Sequence, residues 1–361
     1  TIQKLTYSSE TSSALANTFT HTTIQQMGAT GIRVDALPVV EPPTATPSPQ
    51  VSIPPGPKTG YFHGGKNSSF QNIDAVQKIS YATDTSENLP ATLTVTVKNQ
   101  AGTSSSTAGY TGGGNPGDRS SVEKITYATD GIARIPGANL TVARDGIAAC
   151  ESSSAGYFAS GENPSDGYLT IVDKLTFSSD TTERIPSANL DNGRGAFAAV
   201  GDKSAGYFGG GYSPALGSAS AVEKIIYSSE TTSRIPSANL SSGRQNFAAT
   251  GSFVAGYFGG GDPNKVSIVD KLTYSTDTTA RVPGADLVTR RRAIAATGSV
   301  TAGYFSGGEV PSSPTNNVSS SIDKLSYATE TSEIITANIG AARYHHGASS
   351  SQRSGGSPSI I

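Results

Sequence analysis

The sequence predicts an all-β chain closed into a seven-bladed propeller, with four antiparallel strands per blade. One phrase, AGYFGGGYSPALGSASAVEKIIYSSETTSRIPSANLSSGRQNFAATG at 205–251, is nearly restated from Ala255 onwards. Its Gly-Tyr signal falls at Gly60, Gly109, Gly156, Gly206, Gly256 and Gly303, in steps of 49, 47, 50, 50 and 47 residues. A second signal, lysine then aliphatic, any residue, aromatic, starts at Lys4, Lys78, Lys124, Lys174, Lys224, Lys271 and Lys324, which counts seven units. Units of ~50 residues are propeller repeats, each a small sheet that cannot bury its faces alone. The 41 glycines, 20 prolines and 15% charged residues suit a turn-rich β protein with almost no helix.

Within the unit at 205–251, Ala205–Gly209 reads as the second strand, 222–227 as the third and 231–235 as the fourth. Residues 244–251 lead into the first strand of the next blade. Ser228-Ser229-Glu230 is a polar turn with an acid at its end, matched by Ser178-Ser179-Asp180 and Ser275-Thr276-Asp277. Pro236 stops the fourth strand because it has no ladder donor. Gly209-Gly210-Gly211 ends the second strand where chains converge. Ala248-Ala249 and Ala295-Ala296 suit an innermost strand facing a narrow channel.

Thr1 to Tyr7 is a third strand with no first or second before it, and 343–350 aligns with the first strands of other units. The expectation is therefore a last blade built from both termini: two inner strands from the C-terminus, with 352–361 as its second, and two outer strands from the N-terminus. Closure of this kind removes free sheet edges. Met27-Gly28-Ala29-Thr30-Gly31 reads as a worn inner strand. Residues 34–58 form a proline-rich insertion, with Pro42-Pro43, Pro47, Pro49 and Pro54-Pro55, read as an extended surface loop. Its sharper readings are an arm on a neighbouring subunit and glycosylation at Thr44, Thr46 and Ser48. Residues 1–361 are expected to make one propeller domain. A start at Thr1 points to a processed chain or an excerpt of a longer one.

With 26 basic and 28 acidic residues the net charge is −2, so nothing draws the chain to nucleic acid or an anionic membrane. No apolar run approaches the ~20 residues of a membrane span. The single cysteine, Cys150, cannot form an intrachain disulfide.

Two in-phase charge series stand out. The repeat lysines each follow an acid or glutamine: Gln3, Gln77, Glu123, Asp173, Glu223, Asp270 and Asp323. Strand alternation sends neighbours to opposite faces, so the lysine of one blade is expected to meet such an acid on the next. The result is a structural belt: Lys124, Glu123, Lys174, Asp173, Lys224, Glu223, Lys271, Asp270, Lys324 and Asp323. The second series is Arg144, Arg194, Arg244, Arg291 and Arg343. Its binding reading is an anion site at the channel mouth. Its structural reading braces the adjacent loops through Asn139, Asn189, Asn239 and Asn338. Arg290-Arg291-Arg292 alone does not make a nucleic-acid site without aromatic stacking partners. The loops after strand two vary most, at 63–72, 114–119, 160–167, 211–220, 261–265 and 308–320, and share the rim where selectivity is expected.

GYFGGG, VDKLTYSTDTT, RIPSANLSSGR and FAATGS resemble kelch-like propeller repeats associated with virion structural and tail-associated proteins of marine phages, cyanophages among them. The resemblance covers the chain apart from 34–58 and departs from animal kelch repeats in lacking tryptophan. It implies a non-enzymatic module on a virion, tail fibre or other extracellular surface. Its implied partners are other structural proteins, copies of itself, and a host glycan, with no cofactor or metal. Two other classes compete with it. Tyr344-His345-His346 is similar to the copper ligands of galactose oxidase, itself a kelch-type propeller, with Cys150 as a residue to crosslink a tyrosine, which raises an oxidase-like or glycan-cleaving enzyme. Adjacent strand histidines point to opposite faces, however, so at most one serves a copper site. A kelch-type protein-binding adaptor is the remaining class.

Overall fold

A computed structural model describes residues 58–311 and 317–351 and the backbone strands Ile2–Thr6 and Thr11–Leu15. The chain divides into two compact units, Thr1–Ile53 and Pro54–Ile361. In the first, Ile2–Thr6 pairs antiparallel with Thr11–Leu15 and sets Lys4 opposite Ser13. Lys224 and Ser233 hold the same register in a complete blade. The arm at 34–57, including Thr44, Thr46 and Ser48, lies outside the described residues, as do the worn strand at 27–31 and residues 352–361.

The second unit is a β-propeller of six blades, each a four-stranded antiparallel sheet. From the inner to the outer strand, blade 1 is Ala101–Ser104, Ala108–Gly112, Val122–Thr126 and Gly131–Arg134. Blade 2 is Ala148–Glu151, Ala155–Ala159, Val172–Thr176 and Thr181–Arg184. Blade 3 is Ala198–Gly201, Ala205–Gly209, Val222–Ile226 and Thr231–Arg234. Blade 4 is Ala248–Gly251, Ala255–Gly259, Val269–Thr273 and Thr278–Arg281. Blade 5 is Ala295–Gly298, Ala302–Ser306, Ser321–Ser326 and Thr331–Asn338. Blade 6 takes its inner strand, Gly347–Ser350, from the C-terminal side and the rest, Thr59–His63, Val76–Ser80 and Thr85–Asn88, from the start of the unit. Each inner strand packs against the next around the ring, Gly347–Ser350 against both Ala295–Gly298 and Ala101–Ser104.

The expected count of seven is thus corrected to six, and so is the expected closure. Gly347–Ser350 pairs with Thr59–His63, Phe62 opposite Ala348, not with a strand from 352–361. The closing blade therefore takes one strand from the C-terminal side rather than two, and its outer pair is Val76–Ser80 and Thr85–Asn88 rather than N-terminal residues. The physical reason is that the lysine signal marks only the outer hairpin of a blade, a local element that forms wherever its turn occurs. The six Gly-Tyr signals mark second strands, each of which needs an inner partner, and Thr59–His63 finds its own some 290 residues away.

Prolines and small residues shape the blades as their chemistry requires. Each of Pro136, Pro186, Pro236 and Pro283 ends an outer strand and opens a short 3-10 turn, where the missing N–H costs nothing. The inner strands carry Gly102, Ala149, Ala199, Ala249, Ala296 and Ala348 toward the axis, where they line the narrow end of the channel. A Cβ on Gly102 would sit 1.9 Å from the Ala348 carbonyl oxygen. At the end of the second strand Gly210 and Gly211 take φ of +64° and +101°, and a Cβ on Gly210 would strike Phe247.

The core is divided into six wedges, each filled by side chains of two adjacent blades. Every wedge contains a stacked aromatic pair: Tyr61 on Tyr127, Tyr110 on Phe177, Tyr157 on Tyr227, Tyr207 on Tyr274, Tyr257 on Tyr327 and Tyr304 on Tyr81, at 5.0–5.3 Å. Stacks of this kind add about 0.5–1.5 kcal/mol beyond area burial.

Candidate functional site

The lysine belt exists and closes on itself, with different partners from those expected. Lys78, Lys124, Lys174 and Lys224 reach Asp130, Asp180, Glu230 and Asp277 on the following blade at 2.5–2.8 Å. Lys271 with Glu330 and Lys324 with Asp84 complete the circle. The acid is the turn residue between the third and fourth strands, not the acid preceding the lysine. It adopts positive φ, 51° to 53° in all six copies, and also accepts the stacked tyrosine's hydroxyl, as Asp277 does from Tyr207 at 2.6 Å. Burial, and then these carboxylates, push Tyr61, Tyr110, Tyr157, Tyr207, Tyr257 and Tyr304 above the ordinary phenol range.

The acids preceding the lysines serve the arginines instead. Arg144 meets Asp173 at 2.9 Å, Arg194 Glu223 at 2.5 Å, Arg244 Asp270 at 2.8 Å and Arg291 Asp323 at 2.7 Å. All four arginines, and Arg343, are at most 1% exposed. Arg144 also donates to the carbonyls of Val142, Phe158 and Ser160, while Asp173 accepts from the Thr141 backbone and hydroxyl. Burial pulls Arg144, Arg244 and Arg291 down from the usual guanidinium range, and their carboxylate partners oppose that. Enclosed in this way, these guanidinia offer no charge to a ligand in the channel. The loops they brace are held through carbonyls and the acids. Asn139, Asn189 and Asn239 each carry a buried Oδ1 without a partner.

Where each connector enters an inner strand, one residue turns to positive φ: Asn99, Gly146, Ala196, Asn246, Ala293 and His345, at 52° to 65°. Each N–H donates to the carbonyl of its counterpart on the preceding blade, at 2.6–3.1 Å, and His345 O receives Asn99 N to close a six-membered collar. Beyond the collar a cavity of about 260 Å³ opens on the rim that carries the loops after strand two. Asn99, Gln100, Gln245, Asn246 and His345 contribute its polar wall. Tyr168 and Tyr212, from the small hairpins Glu162–Asn163/Gly167–Tyr168 and Tyr212–Ser213/Gly217–Ser218, stand edge to face at 6.2 Å in the same lining, beside Glu162. Burial, then the hydrogen bond to Glu162, pushes Tyr168 up to about 12.

The residue after each collar position is apolar in four blades, Ile147, Phe197, Phe247 and Ile294, and polar in two, Gln100 and His346. Both polar residues flank the closing strand and line the cavity. The series of five arginines passes over Gln100, and His346 enters the sequence reading only as a copper-ligand candidate, although the break in the repeat's apolar phase is visible in the sequence. Gln100 Nε2 donates to His63 O at 2.7 Å and His346 Nε2 shares a hydrogen bond with Ser306 Oγ at 2.8 Å. Gln100 Oε1, His346 Nδ1 and both nitrogens of His63 are buried without a partner. Burial, then Arg343, pulls His63 down to about 3, while burial, then Lys98, Arg292 and Lys66, does the same to His345.

Tyr344-His345-His346 and Cys150 do not come together: His345 and His346 line the wide mouth and Cys150 the opposite end of the channel. No group of three potential metal-ligating side chains occurs among the described residues. Of the arginine triplet, Arg291 is buried on Asp323, Arg292 bridges Asp262 and Glu309 at 2.9 and 2.7 Å, and Arg290 is exposed. Fold and site together define an all-β six-bladed propeller with a polar mouth at one end of its channel. In comparison with known proteins, no family model and no curated protein matches the chain.

Proposed function

We propose that the chain is a non-enzymatic recognition and assembly module displayed on a virion, tail fibre or other extracellular fibre, with kelch-like repeats as its scaffold. The observation that carries this reading is the division of labour among its polar groups. The repeated charges are engaged inside the scaffold, as in the pairs of Lys224 with Asp277 and Arg244 with Asp270, where they rigidify it. The non-repeating polar and aromatic residues collect on one rim, around the mouth. Variable loops on a rigid frame are how binding surfaces are built, and assembly through such a surface needs no cofactor.

The reading is tested by raising antibodies to the propeller and imaging source material by immunogold electron microscopy. Label on particles or on extracellular fibres is the expected outcome. Label confined to the cell interior in the absence of particles overturns it.

A further inference from the structure

We infer that the channel mouth binds one uncharged, hydroxyl-rich ring, a terminal or branching sugar of a neutral glycan; the inference rests on the recognition reading above. The scaffold itself does not call for a polar mouth. Gly146, Ala196 and Ala293 make the collar turn as well as Asn99, Asn246 and His345 do, and apolar side chains fill the next position in four blades. Gln100 and His346 replace them on one side, 6% and 5% exposed, each with a side-chain atom lacking a partner. Those atoms are closed off from the cavity itself, so what the two residues bring is a polar rather than apolar lining, beside Asn99, Gln245, Asn246 and His345.

Two aromatic rings join this lining. Tyr168 and Tyr212 present ring surface suited to the C–H face of a sugar, and Glu162 beside them accepts hydroxyl hydrogens. Amides and rings together are the mixed lining that orients a small ligand. Charge selects against an acidic sugar. The buried arginines are enclosed by their own partners, and Glu162 is the charged group in the lining, with Asp145 paired against its strand. A carboxylate ligand would meet a carboxylate in the lining itself, while Lys98, Arg292 and Lys66, the cations that bear on His345, stand outside that lining.

The test uses the full chain on an array of neutral, acidic and amine-bearing glycans, followed by saturation-transfer NMR with methyl glycosides of the best class. Neutral glycans are expected to bind, with Tyr168→Ala and Gln100→Leu each weakening binding at least tenfold at unchanged secondary structure. Tyr168 lies on a peripheral hairpin, so its variant keeps the test valid if Gln100→Leu fails to fold. Binding of acidic glycans only, or of none, overturns the inference. Glycan or protein binding that Tyr168→Ala leaves intact also overturns it, but leaves the recognition reading standing. That reading fails separately, on the imaging result.

Discussion

Blades 2 to 5 and the seam between blades 6 and 1 solve the same junction with different chemistry. In blades 2 to 5 a buried arginine meets a buried carboxylate on the third strand, Arg144 with Asp173 being typical. At blade 6 the carboxylate is replaced by Gln77, whose Oε1 accepts from Arg343 at 3.2 Å, and the guanidinium otherwise rests on the carbonyls of Ala75 and Ile339. At blade 1 the arginine is replaced by Val97, and Glu123 accepts instead from Thr94 N and Oγ1. The seam adds His63 and His346, both buried and facing Arg343 with no carboxylate between them. At this inner position the closing blade is thus held by its backbone ladder and by hydrogen bonds to neutral partners, whereas the continuous junctions pair two buried charges there; the outer lysine belt crosses both.

Removing the closing strand should have the largest effect. A chain ending at His346 loses the inner strand of blade 6 and leaves Thr59–His63 as an open edge, so cooperative thermal unfolding should be lost or its midpoint lowered by more than about 10 °C, as followed by circular dichroism. Next comes Asp173→Asn, which leaves Arg144 buried opposite a neutral group. Breaking a buried pair in this way costs roughly 3–5 kcal/mol, to be measured by urea unfolding, and a loss below ~1 kcal/mol would erase the distinction between the two kinds of junction.

The seam should also be sensitive to acid. His63 and His345 stay neutral in the folded chain down to pH of about 3, whereas in the unfolded chain a histidine protonates below about 6.5. In that window the unfolded chain binds more protons, so the stability is complete above pH ~6.5 and is lost as the pH falls toward 3. By pH ~4.5 the loss is roughly 2–3 kcal/mol per histidine. Glu123, Asp145 and Asp323, held up by burial, act in the opposite direction. Comparing urea midpoints of the native chain and His63→Leu at pH 7.5 and 4.5 isolates the imidazole, and the variant should lose less stability on acidification.

Two smaller changes sharpen the contrast. Gln77→Glu gives Arg343 the carboxylate that its counterparts have and should stabilise the chain by about 1–2 kcal/mol. Lys224→Met removes one member of the outer belt, where the lysine is 19% and Asp277 29% exposed. Its cost should stay within ~1 kcal/mol, as for other partly hydrated pairs.

What the sequence discloses follows from which interactions are local. The repeat, the strand order, the proline stops and the small inner residues are written in contiguous stretches, and Ala205–Gly209 lies where the pattern puts it. The blade count is not local. Lys4 sits in an outer hairpin indistinguishable by pattern from that of Lys224, and only the pairing of Gly347–Ser350 with Thr59–His63 decides where the ring closes. The charge partners are hidden for a related reason. Two acids per unit, such as Glu223 and Glu230, are in phase with the lysines and the arginines, and the stagger between blades assigns the first to Arg194 and the second to Lys174. Of the mouth, the rim loops were legible as the variable segments, while Gln100 shows itself as a departure from an apolar phase and His346, read as a metal-ligand candidate, is another such departure.

The account turns on six blades closed by Gly347–Ser350, and a cysteine pair tests that closure most directly. His63 and Gly347 are direct cross-strand partners, and a Cβ on Gly347 would touch the His63 ring. In a Cys150→Ser background, His63→Cys with Gly347→Cys should form a disulfide on mild oxidation, since directly opposed residues have Cα atoms about 4.5–5.5 Å apart, within the span of a disulfide, with the fold retained. Two free thiols by mass spectrometry after oxidation of the folded protein would contradict it.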